Sequence, residues 1–526
     1  MCSFPKRVGQ ENKRKVIQLD SLVQNGFGMT RYFLTSIRLW VTALIVVVSI
    51  LHTPVCAEKL EEAFQDESPT SLLTLHDVLD RLEKQHPLLK RSQANITVAR
   101  GRLLKALGKF EPNLVNDWEL ERLVKDGKTK SVGFNDTFVE VRHPWGFKGF
   151  AGFRAGIGDV EIADLGVNTS NQPLLGIVFP LLRGFITNPE SGELKKSKLA
   201  GARAKLEIQQ VRQELYLGAA TQYWNWVAAW RIRDVHHRSV EVAELRFQQI
   251  KSQVDDGARA QFDVIDASQE IQWRRDKLIK AERRVDKEQF KLALFLWEGD
   301  ELMVPKERKV PAFPSDLQDA WLHDLEKNKL RAAQSRPEVK LINLEAQVNH
   351  VDLDVAENNL LPDLTLEAQP TRKPGEFVLG LGYRFGVQLS FPLLQREARG
   401  DLMKLKGKIE RLKLLKRYQL QQVGMDVANA HSSMIRAQQS IQVTRKALEL
   451  AKQLVEGERT RFKLGITNLI VVNQREHKVL EANESWVTAM TGYQKAVALY
   501  QWAIGKWAGG LHKQETRKKR TKADRK

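Results

Sequence analysis

The chain has 526 residues, long enough for two or three domains of ordinary size, and its formal net charge is +19. Such a charge is compatible with binding to nucleic acid or to an anionic membrane surface. Part of it lies in residues 510–526, which are mainly basic and polar and predict a solvated, disordered tail. Because no folded nucleic-acid-binding module adjoins this tail, we expect no nucleic acid partner.

The N-terminal part has the composition of an export signal. Arg31 and Arg38 precede an apolar run at 39–51, and small residues follow at 55–57. The run is short for a membrane-spanning helix. Both cysteines precede the predicted cleavage point, so we expect neither disulfides nor thiolate metal sites in the exported protein. Whether translation begins at Met29 or at the first residue stays open.

The chain contains an internal duplication. Each half has a pair of prolines 25 residues apart, then the sequence Phe-Pro-Leu-Leu, then a glycine more than 70 residues further on. The positions are Pro87, Pro112, 179–182 and Gly257 in the first half and Pro337, Pro362, 391–394 and Gly465 in the second. We therefore divide the chain into four parts. They are an N-terminal extension with the signal (1–57), a first repeat (58–310), a second repeat (311–509) and the basic tail.

Each repeat contains a very long helical segment. In the second repeat, apolar residues recur every three or four positions, as in helices packed at a shallow angle. This stripe comprises Leu402, Leu405, Ile409, Leu412, Leu420, Val423, Val427, Ala430, Met434, Ala437, Ile441 and Leu448. Residues 396–464 span roughly 100 Å as one helix, and 191–256 is the counterpart. Leu415, Met425 and Val443 lie off the stripe and predict a second contact face.

The segments before these helices show strand periodicity. Residues 377–391 alternate between large apolar and small or polar residues, and 364–368 would pair with them. This pattern is typical of a membrane strand with one face to lipid and one to an aqueous lumen, although a soluble sandwich also fits it. In the first repeat, aromatic residues between 145 and 153 suit either an interfacial girdle or packing within a loop. We place the membrane strands within 113–182 and 363–392.

The order of these elements resembles that of the TolC-like outer-membrane efflux proteins. The resemblance covers Leu72 to Gly505 and rests on the proline junctions, the two Phe-Pro-Leu-Leu sequences, the turn after Gly257 and an aromatic segment at 223–229. It implies a mostly α fold with a membrane β portion. Three chains would form a long α-helical barrel and a twelve-stranded β-barrel, with four strands per chain.

The resemblance also implies a function and partners. The chain would be a homotrimeric, passive conduit in the outer membrane of a Gram-negative bacterium, with a helical extension in the periplasm. It would work with a periplasmic adaptor (a membrane fusion protein) and an inner-membrane transporter to export small molecules, ions or protein. No cofactor and no enzymatic activity are expected, since no catalytic set or phosphate loop occurs. The alternative is a non-channel coiled-coil scaffold of the cell envelope.

The turns between the long helices are the candidate sites. By resemblance they would dock the adaptor, through Gly257, Ala258, Arg259, Gly465, Ile466 and Thr467. Acidic residues near the first turn would form a periplasmic gate or simply stabilise the helix ends; they are Asp255, Asp256, Asp263 and Asp266. Val471 stands at the position equivalent to Asp263, which departs from the pattern.

Two further groups are interpreted as structural. His236 and His237 are adjacent, so their rings diverge on a helix and predict a surface pair rather than a metal site. The tryptophans at 224, 226 and 230 predict packing between helices rather than contact with cargo.

Overall fold

The computed structural model describes residues 72–125, 128–157, 172–305, 310–314, 324–371 and 382–510. They lie within one compact unit, Pro69–Lys526. The predicted export signal, both cysteines, the basic tail and residues 377–381 of the predicted strand lie outside the described residues. No helix in the described part of the chain is long and apolar enough to cross a membrane.

Each half has two short helices followed, after the strands, by a long helix and a returning helix. The first half contains α1 (Leu75–Gln85), α2 (Pro87–Leu107), α3 (Pro189–Asp255) and α4 (Gln261–Ala293). The second contains α5 (Leu325–Ser335), α6 (Pro337–Asn358), α7 (Arg396–Lys463) and α8 (Leu469–Ala503). Proline opens α2 and α6, where its missing N–H costs no hydrogen bond. Single 3₁₀ turns occur at Gly108–Phe110 and Lys506–Gly509.

The long helices confirm the spacing argument. α3 has 67 residues and α7 has 68, about 100 Å each at about 1.5 Å per residue. Eight members of the predicted α7 stripe are buried, and the other four are half-buried. By contrast Leu415, Met425 and Val443, which lie off the stripe, are exposed in the single chain. The residues of the predicted second face are therefore largely uncovered within one chain, and the contact itself stays a prediction.

The strands of both halves form one antiparallel sheet in the order β1-β2-β3-β4-β7-β8. Its members are β1 (Asn113–Lys125), β2 (Lys128–Arg142), β3 (Lys148–Ile157), β4 (Gln172–Pro180), β7 (Asp363–Thr371) and β8 (Gly382–Ser390). β4 joins the halves by pairing with β7. A separate two-stranded ladder consists of β5 (Trp297–Glu298) and β6 (Glu301–Leu302).

The sheet corrects one expectation. The described residues contribute six strands to it, so the expected four strands per chain were one hairpin too few. By the matched junctions, β1 after Pro112 corresponds to β7 after Pro362, and β4 corresponds to β8, so the two additional strands are β2 and β3. β1 and β2 pair along their full length, from Asn113 with Glu140 to Lys125 with Lys128. The sequence places strands within 113–182 but does not reveal their number, because polar residues occur on both faces of 113–142, which lacks the clean alternation of 382–390.

The core lies where the short helices pack against the middle of the long ones. One cluster joins α1 to α3 and the end of α4 around Leu82, Tyr216 and Trp226. The matching cluster of the second half joins α5 and α6 to α7 and α8 around Val427, Met434 and Tyr500. The duplication in the sequence is therefore repeated in the packing, and it fixes the long helices at their centres.

Candidate functional site

The six-stranded sheet has two faces of different chemistry. We call the first the apolar face. It carries Leu114 and Trp118 on β1, Val139 and Val141 on β2, Ala151 and Phe153 on β3, Leu175, Ile177 and Phe179 on β4, Leu364 and Leu366 on β7, and Phe385, Val387 and Leu389 on β8. The last three side chains are 63%, 69% and 66% exposed. Exposure of so many large apolar side chains on one face indicates contact with lipid or with another protein.

The opposite side, which we call the polar face, carries the charged residues of the strands. They include Asp136, Glu140, Arg142, Lys148 and Glu367. Two aromatic residues on this side, Phe138 and Phe150, contact each other with ring centroids 5.9 Å apart. Polar or small residues alternate with apolar ones throughout β7 and β8, as in a sheet between lipid and water. β4 does not alternate, since Leu174 and Val178 lie on the polar face.

Three polar residues on the apolar face satisfy one another. The Asn116 side-chain amide donates to Asn135 Oδ1 and to Thr137 Oγ1, at 2.6 Å in each case. Asn116 lies on β1 and the other two on β2, so the bonds join the two strands of this hairpin. Pairing of this kind reduces the cost of placing amide and hydroxyl groups in an apolar environment.

The two helical turns have the same backbone geometry. Gly257 and Gly465 have φ of +73° and +72°, a left-handed conformation that glycine adopts without strain. At each turn, the N–H groups of the glycine and of the residue after it donate to carbonyl oxygens of the preceding helix. In the first turn Gly257 donates to Val254 O and Ala258 to Gln253 O; in the second, Gly465 donates to Phe462 O and Ile466 to Arg461 O. This pair of bonds is the Schellman motif, which ends α3 and α7 in the same way.

The turns of the two hairpins lie against each other. Ile250 of α3, Ala267 of α4 and Leu469 of α8 form a small buried cluster between them. The Arg259 guanidinium lies 4.2 Å from the centroid of the Phe462 ring, so the first turn also contacts the end of α7 by a cation–π interaction. Four of the predicted docking residues, Gly257, Ala258, Gly465 and Ile466, are exposed, while Arg259 and Thr467 are half-buried.

The four acidic residues near the first turn do not form one cluster of equal character. Asp255 and Asp256 are exposed at the end of α3, whereas Asp263 lies 3.4 Å from Arg259. Burial, with smaller contributions from Glu270 and Asp263, raises the pKa of Asp266. The described residues contain no group of three or more His, Cys, Asp or Glu placed to hold a metal ion. The role of these aspartates stays a prediction.

Above the turns, one buried carboxylate joins all four long helices. Glu476 on α8 accepts hydrogen bonds from Arg246 on α3, from Arg274 on α4 at 2.6 Å and from Arg459 on α7 at 2.7 Å. Arg274 continues the network to Glu270, which also bonds His477 at 2.8 Å. We call these residues the ion cluster. A cavity of about 330 Å³ between α3 and α8 borders it.

The ion cluster holds Glu476 in its charged form. Burial alone would raise the pKa of this carboxyl, but the hydrogen bonds and charges of Arg246 and Arg274 outweigh burial and lower its pKa to about 2. The same balance lowers the pKa of Glu270, through His477 and Arg274. Because the acceptor is charged and its donors come from three other helices, removing their guanidinium groups from the packed structure would leave a buried, uncompensated charge.

Sequence reasoning missed the ion cluster and misplaced one histidine. Arg246 and Glu476 are 230 residues apart in the chain, so no local spacing reveals their contact. His236 is buried against Glu484 of α8, with Nε2 2.8 Å from the carboxylate, while His237 is exposed; the predicted surface pair is therefore wrong for His236. Adjacent positions differ by about 100° around a helix, which sends one ring to α8 and the other to solvent.

The aromatic residues of α3 pack as predicted. Trp226 is buried in the core cluster of the first half, and Trp224 stacks on Phe313 with ring centroids 6.0 Å apart. In the strand region Trp145 and Phe153 are exposed, while Phe147 stacks on His143 at 4.5 Å. Packing within the loop thus describes Phe147, and the interfacial girdle stays a prediction for Trp145 and Phe153.

Solved structures share this arrangement. A membrane protein from Pseudomonas aeruginosa is 14% identical, with a TM-score of 0.62 over 82% of this chain and 92% of that one. The outer-membrane channel OprN is 15% identical, with a TM-score of 0.60 over 83% and 91%. The CmeC outer membrane channel of Campylobacter jejuni is 12% identical, with a TM-score of 0.58 over 86% and 93%. No protein-family model and no curated protein matches the chain.

These similarities identify the fold. The chain has the architecture of outer-membrane channels, with long helical hairpins attached to an antiparallel sheet. This is the fold that the resemblance to the TolC-like proteins implies, so the fold class inferred from the sequence is confirmed, with six strands in the sheet instead of four.

Proposed function

We propose that the chain is the subunit of an outer-membrane channel, a passive conduit for export that has no enzymatic activity of its own. Its neighbours in structure are channels, and the CmeC and MtrE structures are described as outer membrane channels of Campylobacter jejuni and Neisseria gonorrhoeae. On this proposal the sheet spans the outer membrane of a Gram-negative bacterium and the helices extend into the periplasm.

The observation that carries the proposal is the apolar face of the sheet. In a coiled-coil scaffold surrounded by water, exposed Phe385, Val387 and Leu389 beside exposed Leu114 and Trp118 would be unfavourable. In lipid these side chains are favourable, and the charged residues of the polar face then line a watery lumen. The sheet alone cannot span a membrane, however, because its edge strands leave backbone N–H and C=O groups unpaired, at several kcal/mol each.

Assembly of three copies removes this difficulty and also covers the second face of α7. In a closed ring every edge strand has a neighbour, and the exposed Leu415, Met425 and Val443 would pack against the next subunit. The two repeats, 58–310 and 311–509, would then alternate around the ring. A homotrimer is the assembly that we propose.

The helical turns are the proposed contact with a periplasmic adaptor, which in turn would connect the channel to an inner-membrane transporter. Gly257, Ala258, Gly465 and Ile466 are exposed, and Thr467 is half-buried, at turns of matching geometry, so each chain presents two similar contact points. Three chains would present six. The exposed Asp255 and Asp256 beside the first turn are proposed to help close the periplasmic entrance.

The first experiment is membrane fractionation, followed by native mass determination in detergent. A chain in the outer-membrane fraction with three times the subunit mass is the expected result. A soluble product, or a monomer in detergent, would contradict the channel and favour the scaffold of the cell envelope.

The docking role is tested with Ile466→Asp, which leaves the left-handed glycine in place. We expect loss of export with normal trimer assembly, measured by efflux from intact cells and by native mass. Leu330→Asp is the matched control, because Leu330 is equally apolar and exposed but lies on α5. Export that continues in the Ile466 variant would exclude docking at this turn.

The proposed gate is tested in planar bilayers. Replacing Asp255 and Asp256 with Ala should raise the leak conductance of the purified channel, because two charges at the entrance are removed. Asp286→Ala removes an exposed charge further along α4 and should leave the conductance unchanged. Equal conductance in all variants would eliminate the gate and leave helix-end stabilisation as the role of these residues.

A further inference from the structure

The count and direction of the strands determine how copies of the sheet can join. β1 follows α2 and runs away from the helices, β2 returns, and the direction alternates through β3, β4, β7 and β8. Each chain therefore adds an even number of strands, beginning with one that leaves the helices and ending with one that returns to them. β8 of one copy can consequently pair antiparallel with β1 of the next.

The two edge strands also agree in polarity. The rows of paired residues are staggered across the sheet: Arg142 at the helix end of β2 is linked through Lys148, Val178 and Glu367 to Gly386, four residues before Ser390. A closed barrel of tilted strands requires a stagger of this kind. Leu114 and Leu389 lie on the apolar face and Val115 and Gln388 on the polar face. A joint between β8 and β1 would continue both faces without a change of side.

From this arrangement, and resting on the proposed trimeric channel, we infer that all six strands belong to the barrel wall and that β1 forms the subunit interface. Three copies of a six-stranded sheet close a barrel of eighteen strands rather than twelve. At about 4.8 Å between strands and a tilt of about 40°, eighteen strands give a diameter of about 36 Å between strand axes, against about 24 Å for twelve.

The alternative is a twelve-stranded barrel in which the hairpin β1–β2 is displaced and β3 pairs with β8 of the next copy. Two observations oppose it. The hairpin pairs with β3 over ten residue positions, from Arg142 with Lys148 to Gly133 with Ile157. Displacement would break those bonds, and it would remove from the lipid the apolar side chains of Leu114, Trp118 and Val139, which lie on the same face as those of the other strands.

Disulfide cross-linking in the assembled protein distinguishes the two barrels, in a background with Cys2→Ser and Cys56→Ser. Cysteine replaces Val115 or Asp117 on β1 together with Gly386 or Gln388 on β8; all four lie on the polar face. The four pairs sample neighbouring registers between β1 and β8 in which the polar faces of the two strands are aligned. A disulfide needs Cα atoms about 4.4–6.8 Å apart, so at least one pair should give covalent dimers and trimers on oxidation.

Two controls make the result specific. Asn116→Cys with Gln388→Cys places the thiols on opposite faces of the sheet and should give no covalent dimers or trimers in any register. Thr365→Cys with Gln388→Cys joins opposite residues of one chain, so it should oxidise without forming dimers.

Covalent dimers from Phe150→Cys with Gln388→Cys would place β3 at the interface and overturn the inference in favour of twelve strands. Trimers in which none of the four β1–β8 pairs cross-links would also overturn it. In both cases the trimeric channel itself would stand, whereas a native mass of one chain would refute the proposed function.

Discussion

Glu476 shows how a single residue can hold four helices at one level. It is 5% exposed, and its carboxylate accepts from guanidinium groups on α3, α4 and α7. Glu476→Gln keeps the shape of the side chain but leaves three arginines without their shared counter-charge. We expect the free energy of unfolding to fall by about 3–5 kcal/mol, measured with guanidinium in detergent.

Glu481→Gln is the control for this variant. Glu481 lies on the same helix and pairs with Lys478, but both side chains are about two-thirds exposed. Exposed pairs contribute about 0–1 kcal/mol, so this variant should be nearly as stable as the unmodified chain. Equal losses in the two variants would contradict the buried role of Glu476.

The same carboxylate predicts a dependence of stability on pH. Its folded pKa of about 2 lies below the ordinary 4.5, so its contribution is present above about pH 4.5 and is lost as pH falls towards 2. A shift of this size corresponds to about 3 kcal/mol. Between pH 5 and pH 2, unfolding free energies should therefore fall less steeply in Glu476→Gln than in the unmodified chain. Parallel slopes would show that Glu476 titrates normally.

Replacing a glycine with alanine should change the free energy of unfolding in different ways within α7 and in the turn that follows it. Gly465 has φ +72°, so Gly465→Ala should destabilise the chain by about 1–2 kcal/mol. Gly457 lies within α7 with open space around it, so Gly457→Ala should be neutral or stabilising by up to about 1 kcal/mol. The same guanidinium unfolding measurement serves for both. A stabilised Gly465 variant would exclude the left-handed turn.

At the scale of helices and strands, an element could be predicted when the pattern that specifies it lies within one stretch of sequence. The lengths of α3 and α7 follow from heptad spacing and from the glycine that ends each one, both visible in a single stretch of sequence. β8 follows from strict alternation of its apolar residues. The region 113–182 was correctly expected to contain strands, but β1 and β2 were not resolved within it because Asn116, Asn135 and Thr137 occupy apolar-face positions, and their mutual hydrogen bonds are visible only once the strands are paired.

In the candidate site too, the features specified by local sequence were predicted and the contacts between distant residues were not. Both turns were located correctly from Gly257 and Gly465, because a helix end has a sequence signature. The contact between the turns could not be predicted, since Arg259 and Phe462 belong to different repeats. The ion cluster was hidden for the same reason: its members come from four helices, and each alone resembles a charged residue on a solvated surface.

The contact between the two hairpins predicts that their turns move together. Arg259→Ala removes the cation–π interaction with Phe462, worth about 0.5–1 kcal/mol at an exposed site. Amide hydrogen exchange should then become several-fold faster at 461–467, in the hairpin that carries no substitution. Lys251→Ala, an exposed change on α3, should not alter exchange there. Faster exchange confined to the first hairpin would indicate that the turns are independent.

At the scale of the whole molecule, the number of strands per chain determines whether identical chains can close into a barrel. A closed antiparallel ring of identical chains requires each chain to add an even number of strands, because an odd number would place parallel edges at every joint. The two additional strands satisfy this condition, since they bring the number from the four expected from the resemblance to six. Insertion of a pair of strands thus widens the sheet without changing the direction of β1, β4, β7 or β8.

Deletion of strands tests this parity directly. A chain without residues 113–142 loses β1 and β2 together, begins its sheet with β3 and still adds four strands, so it should assemble as a trimer in the outer membrane. A chain without residues 113–127 loses β1 alone and would have to begin with β2 running away from the helices, against its pairing with β3. We expect that chain to yield no trimer by native mass in detergent. Assembly of the five-stranded variant would contradict the proposed barrel, since its edges would remain unpaired in lipid.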